Sequence, residues 1–269
     1  MKINKYFKGF VLSIAAVLVF SSVGPSIGSA ALNNSKDLGL EKQIITQKDF
    51  DYTQGLDPEK DKDLIDILEG IEIKIIKDDE NERVVETIEN GVTSIGVFNK
   101  KTNELTTEVK GNKSSQVKID LDEVDSSDFS DDQQGDISTF AATRVENTYS
   151  NYEYTITYTS PQKWQLRRPK PNTLNSTYYK NVTLSKKNSG NLNNFKKQVD
   201  LLNDYELKFI GAASGATILW LASLVVASLN GGAGVAVALV AAGVTGAAYN
   251  YGIAVERSAK NAQHYYFSI

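Results

Sequence analysis

The chain reads as an α+β protein, and three patterns carry that reading. Short alternating runs separated by tight-turn residues fill 71–121, tyrosines alternate with polar residues over 152–158, and helical periodicity takes over after residue 190. The expected order is a small antiparallel β meander with one helix, an acidic linker, Tyr-rich β strands, an amphipathic helix and an apolar helical hairpin. The corresponding boundaries are a signal peptide (1–30), an acidic N-terminal domain that is a candidate pro-region (31–124), the acidic linker (125–140), a basic Tyr-rich β region with its amphipathic helix (141–208), and the hairpin with its tail (209–269).

Lys2, Lys5 and Lys8 precede an apolar run from Phe10 to Val23, and small residues follow at Gly28, Ser29, Ala30 and Ala31. Charge, apolar stretch and small-residue site are the order of an export signal, with cleavage expected after Ala30 or Ala31. An uncleaved anchor is the alternative, against which the run falls short of the roughly 20 residues of a spanning helix. A secreted chain with no cysteine must fold by its core or wait for a target. The net charge of −4 averages opposites: residues 31–140 hold 13 Lys/Arg against 27 Asp/Glu, and residues 141–269 hold 13 against 6. Such asymmetry points to an acidic partner for the basic half, or to an acidic segment that shields it.

In the acidic half, Asp57-Pro58 is expected to open a short helix with Leu64, Leu68 and Ile71 on one face. Ile71, Ile73 and Ile75 alternate with Glu72 and Lys74, the period of a half-buried strand. Arg83–Glu89 and Val92–Asn99 flank Asn90-Gly91, a hairpin dipeptide because both residues tolerate positive φ. A turn over Lys100–Asn103 leads to strands near Leu105–Val109 and Val117–Leu121. Asp125, Asp128, Asp131, Asp132 and Asp136 then sit among Ser, Gln and Gly with little to bury, which predicts a linker. Their spacing does not match an EF-hand loop. Phe140-Ala141-Ala142 is a candidate second cleavage point beside that linker.

The basic half opens with Tyr152, Tyr154, Ile156 and Tyr158 on one strand face, followed by Trp164, Arg167, Arg168 and Lys170, and a strand over Ser176–Ser185. Two readings stand for this sheet: rings and cations placed at lipid headgroups, or an ordinary Tyr-rich soluble sheet. Asn191–Lys208 forms an amphipathic helix with Leu192, Phe195, Val199 and Leu202 in one stripe.

Between Lys208 and Glu256 lie 47 residues without Asp, Glu, Lys, Arg or His. Phe209–Leu229 is long enough for a helix of roughly 31 Å, against a bilayer core of about 30 Å. The residues expected to enter hydrocarbon are Ile210, Ile218, Leu219, Trp220, Leu221, Leu224, Val225, Val226 and Leu229 on the first arm, and Val235, Val237, Leu239 and Val240 on the second. Asn230-Gly231-Gly232 is the expected tip. Gly211, Gly215, Gly234, Ala238, Ala242, Gly243, Gly246 and Ala247 recur four apart and are candidates for close helix packing in lipid. The tip has no Lys or Arg, while Lys196, Lys197, Lys208, Arg257 and Lys260 flank the hairpin. That distribution suits insertion from outside better than residence in the producer's membrane. A helical hairpin buried in a soluble core is the alternative.

Catalytic patterns are lacking. The single histidine, His264, stands near the end of the sequence without partners at triad or ligand spacing, and no HExxH, G-x-S-x-G, phosphate loop or cysteine nucleophile occurs. No enzyme activity, cofactor or metal is expected, and the modest basic excess does not form a nucleic-acid stripe.

An export signal, an acidic leading region, the stretch Thr148–Arg168 (TYSNYEYTITYTSPQKWQLRR) and the run Gly211–Val255 (GAASGATILWLASL…GVAVALVAAGV) together resemble a secreted Gram-positive bacteriocin precursor of the large linear geobacillin type. The double-glycine leader and disulfides of shorter bacteriocins do not occur in the sequence. The resemblance implies cofactor-free killing of related bacteria. The expected partners are the anionic lipid of a target membrane and further copies of the chain within it, with the receptor open. A non-toxic membrane-anchored protein, or a secreted surface or binding protein, is the alternative.

Overall fold

The computed structural model describes residues 51–122, 143–171, 173–213 and 217–269. The export signal with Ala30 and Ala31, the acidic linker, the Phe140-Ala141-Ala142 cleavage point and Gly215 lie outside the described residues. The described part is α+β, with five helices and two antiparallel sheets.

Helix α1 (Lys62–Glu69) starts later than Asp57-Pro58 suggests. The Asp57 carboxylate accepts the backbone N–H groups of Glu59 and Lys60, at 3.0 and 3.3 Å, closing a turn before the helix. Aspartate so placed competes with helix formation, and Asp61 becomes the N-cap position. Leu64, Ile65 and Leu68 are buried on one face, and Gly70 ends the helix.

Strands β1 (Glu72–Asp78), β2 (Glu82–Glu89), β3 (Val92–Asn99), β4 (Glu104–Val109) and β5 (Asn112–Asp120) pair in sequence order into the first sheet. Asn90 and Gly91 carry φ of 50° and 78°, as a two-residue hairpin turn requires. The inner face of this sheet is lined along its middle by small residues. Val85 pairs with Gly96 and Gly96 with Thr107; Thr87 pairs with Ser94. All five are buried, and together they form a shallow trough.

Strands β6 (Thr143–Glu146), β7 (Glu153–Thr157), β8 (Lys163–Pro169) and β9 (Thr177–Thr183) make the second sheet, also in sequence order. Helices α2 (Ser189–Ala212), α3 (Thr217–Ser228), α4 (Val235–Ala241) and α5 (Gly246–Ser268) complete the chain. The long helices α2 and α5 pack along each other. Tyr152, Tyr154, Ile156, Trp164 and Leu166 are buried, as are Leu192, Phe195, Val199 and Leu202 of α2. The Tyr154 hydroxyl donates to Asp200 of α2 at 2.5 Å, and that of Tyr152 to Gln263 of α5 at 3.1 Å. The Tyr face therefore belongs to the core, and of its four members only Tyr158 is largely exposed.

One apolar core runs through the described residues, from Tyr52 to Tyr266, within the unit 42–269. The acidic half and the apolar segment share it.

Candidate functional site

The apolar segment does not form two bilayer-length helices. Helix α2 continues past Lys208 to Ala212, and Ala213 leaves helical geometry at φ −102°, ψ −118°. Helix α3 then covers 12 residues and α4 only 7. Among the described residues no helix is long and apolar enough to cross a membrane.

The break after α4 has a local cause. Gly243 holds φ +82°, its N–H donates to the Val240 carbonyl at 3.0 Å, and the Val244 N–H donates to Leu239 at 2.8 Å. This left-handed double-bonded stop is a glycine-dependent helix ending. Gly243, expected to pack helices in lipid, instead terminates one. Gly246, with φ +61°, opens α5 after the Thr245 N-cap position. The turn at Asn230-Gly231-Gly232 forms where expected: Gly231 takes φ +89°, and the Gly232 N–H donates back to Ala227 at 3.0 Å.

Helices α3 and α4 are apolar on every side and buried to match. Ile218, Leu219, Trp220, Leu221, Leu224, Val225 and Val226 are all under 7 % exposed, and Val235, Val237, Leu239 and Val240 under 4 %. Ile210 and Leu229 are half-buried at the edges of the same core. Trp220 meets Phe209 edge-on, with ring centroids 6.3 Å apart. Helix α4 lies against β2, β3 and β4 on one side and α5 on the other. It sits in the trough: a Cβ on Gly96 would come within 2.9 Å of the Val237 carbonyl oxygen and 3.1 Å of the Ala241 Cβ. Of the small residues expected to mediate packing, Ala238 is fully buried here and Gly211 is exposed; the close approach to Leu239 is made by Gly252 on α5, which was not among them.

Polar contacts hold this packing in register. The buried Glu256 carboxylate accepts the Val235 N–H at 3.2 Å and pairs with Lys260 at 3.0 Å. Glu89, at the end of β2, stands on the same spot, since a Cβ on Gly234 would lie 3.2 Å from its carboxylate and 3.9 Å from that of Glu256. Burial, and then repulsion from Glu256, push the Glu89 carboxyl above its ordinary range. Burial opposes the charge on Lys260, but Glu256 and Glu89 outweigh it and hold the ammonium above its usual value. Tyr205 of α2 donates to Asp61 at 2.8 Å, and Asn250 of α5 donates to the carbonyls of Asp51 and Gln54 at 3.1 and 3.0 Å. The acidic half thus covers the apolar segment directly, through these polar contacts and the apolar core they share.

No protein-family model matches the chain, and no curated protein or solved structure is found to match it either. Its function has to be read from its own geometry.

The rest of the basic half contributes two clusters. Arg168 lies over the rings of Tyr178 and Phe267, at 4.6 and 4.7 Å. Glu206 of α2 is fully buried and accepts the Tyr149 N–H, the Ser150 N–H and the Ser150 hydroxyl at 2.7, 2.9 and 2.7 Å. Burial pushes its carboxyl up to about 7 in spite of those three donors. Sequence reasoning missed Glu206 and Glu256, because a carboxylate on an otherwise amphipathic helix reads as solvent-facing. It missed Gly96 because one glycine in a strand does not reveal what approaches it.

Among the described residues there is no group of three or more metal-ligating side chains that could hold an ion.

Proposed function

We propose that the chain is a secreted antibacterial protein of bacteriocin type, which carries its membrane-active segment folded away in water. The supporting observation is that the uncharged run 209–255 is sealed partly by the acidic half, on the trough around Gly96, and not only by its own neighbours. A helix apolar all round is stable only inside a core or in hydrocarbon. Separating α4 from β2–β4 leaves its valines and leucine facing water, and a lipid surface is the available alternative. Insertion in this reading is a refolding event. The bend at Ala213 and the stop at Gly243 straighten, and arms of bilayer length form over 209–229 and 233–255 around the Asn230-Gly231-Gly232 tip.

The two tryptophans, Trp164 and Trp220, provide the test, since Trp164→Phe leaves Trp220 as sole reporter. Added to anionic vesicles containing brominated lipid, the variant is expected to show quenched Trp220 emission together with dye release. Purified protein added to related Gram-positive cells is expected to collapse their membrane potential. Unquenched emission, with cells left polarised, contradicts the reading. Trp220→Asp is a poorer probe, because Trp220 is a core residue and its loss threatens folding before any membrane is met.

A second reading is a non-toxic secreted binding protein in which α3 and α4 are permanent core. The burial of the apolar side chains over 218–226 and 235–240 in the shared core favours it. It leaves vesicles intact.

A further inference from the structure

The outer face of the β6–β9 sheet, opposite the buried tyrosines, carries a groove of about 340 Å³ that the insertion reading does not use. Its walls come from two cross-strand rows. Thr157 pairs with Lys163 and Lys163 with Thr183; Thr155 pairs with Gln165 and Gln165 with Asn181. In one row a lysine stands between two threonines. In the other, two amides stand beside a hydroxyl. Successive same-face rows are roughly 7 Å apart, at two residues per repeat.

The amides are fixed before any ligand arrives. Glu153 accepts from Arg167 at 3.1 Å, Arg167 donates twice to the Gln165 carbonyl oxygen at 3.2 and 3.0 Å, and Gln165 donates to the Asn181 carbonyl oxygen at 3.2 Å. This relay orients the planar groups and leaves the Asn181 NH2 facing outward. Neither that group nor the hydroxyls of Thr155, Thr157 and Thr183 has a partner among the described residues. Lys163 is exposed and forms no ion pair among them. Tyr179, 67 % exposed, continues the same face beyond Arg167, with which it pairs.

We infer that this groove binds a phosphorylated polyol chain, with one phosphate on the Lys163 row and hydroxyl groups on the Thr155–Gln165–Asn181 row. A single unpaired cation flanked by hydroxyl donors suits a phosphate, and the spare donors and acceptors beside it suit neighbouring alcohols. A bare anion would leave the amide row unused, and a neutral glycan would leave Lys163 unpaired. The assignment does not depend on membrane insertion, and its test uses no bilayer response.

Calorimetric titration of the full chain with oligo(glycerol phosphate) is expected to show binding. Lys163→Ala should weaken it by about tenfold or more, the loss typical of one charge-assisted contact, and Asn181→Ala by roughly threefold to tenfold, that of a neutral hydrogen bond. Lys197→Ala, on the exposed side of α2, should leave it unchanged, and thermal midpoints of all three variants should stay close to that of the parent. Any of four results overturns the assignment: no binding; equal binding of inorganic phosphate or dextran; equal weakening by Lys197→Ala; or Lys163-dependent binding of anionic lipid vesicles without binding of the polyol phosphate.

Discussion

At Glu206 three hydrogen-bond donors converge on a fully buried carboxyl whose titration lies near neutrality. The folded-state value, about 7, stands above the ordinary value of 4.5, so the native state holds this proton more tightly than the unfolded chain. Its contribution is therefore complete below about pH 4.5 and is lost as pH rises through about 7. Glu206→Ala removes the titration and strands three donors. The variant should be less stable than the parent at pH 5, and the gap should shrink by on the order of 2–3 kcal/mol by pH 8. Urea midpoints across that range check this; a constant gap contradicts the assignment. The Glu89–Glu256–Lys260 cluster is a second coupled spot. Lys260→Met removes the cation beside a buried carboxylate and should destabilise by roughly 1–2 kcal/mol, less than a fully buried pair because Lys260 is 45 % exposed.

Among elements, α4 and its trough decide where the apolar segment lies. Gly96→Val places methyl groups where the Val237 carbonyl and Ala241 already sit. The expected cost is about 1–3 kcal/mol, the range for overpacking a core. The same variant separates the two functional readings. If α4 is held in reserve for a membrane, loosening its seat raises the rate of dye release from anionic vesicles; if it is permanent core, only stability falls. Gly243→Ala tests the helix stop. An alanine at φ +82° should cost about 1 kcal/mol in the denaturation midpoint. If the stop must straighten during insertion, the variant should release dye no more slowly than the parent.

For the whole molecule, the acidic half is both a folded sheet and the cover of the apolar run. A cover held by apolar contact comes off by partial unfolding, so dye release should accelerate in urea well below the unfolding midpoint. A rate independent of urea over that range contradicts an opening step. The charge split found in the sequence enters this cover at Glu89, whose carboxylate acts on Lys260, while Tyr205–Asp61 and the carbonyls bonded by Asn250 have neutral donors. The electrostatic asymmetry also bears on approach to anionic surfaces, where it should make adsorption weaken as salt rises.

Local pattern was enough to make the chain α+β and to locate several turns. The Asn90-Gly91 hairpin, the Tyr strand and the amphipathic α2 follow from short-range chemistry: tolerance of positive φ, a period of two and a period near 3.6. The same logic marked 209–255 as a stretch that water would not keep exposed. What it was hidden against depended on residues more than a hundred positions away. Gly96, Thr107 and Ser94 are unremarkable in a strand, yet their small size admits α4; Glu256 looks solvent-facing on α5, yet caps α4 beside Glu89. Apolar patterning states how much must be buried but is silent on the partner, because core and hydrocarbon reward the same residues. Only the packed chain divided that stretch into α3, a seven-residue α4 and the start of α5.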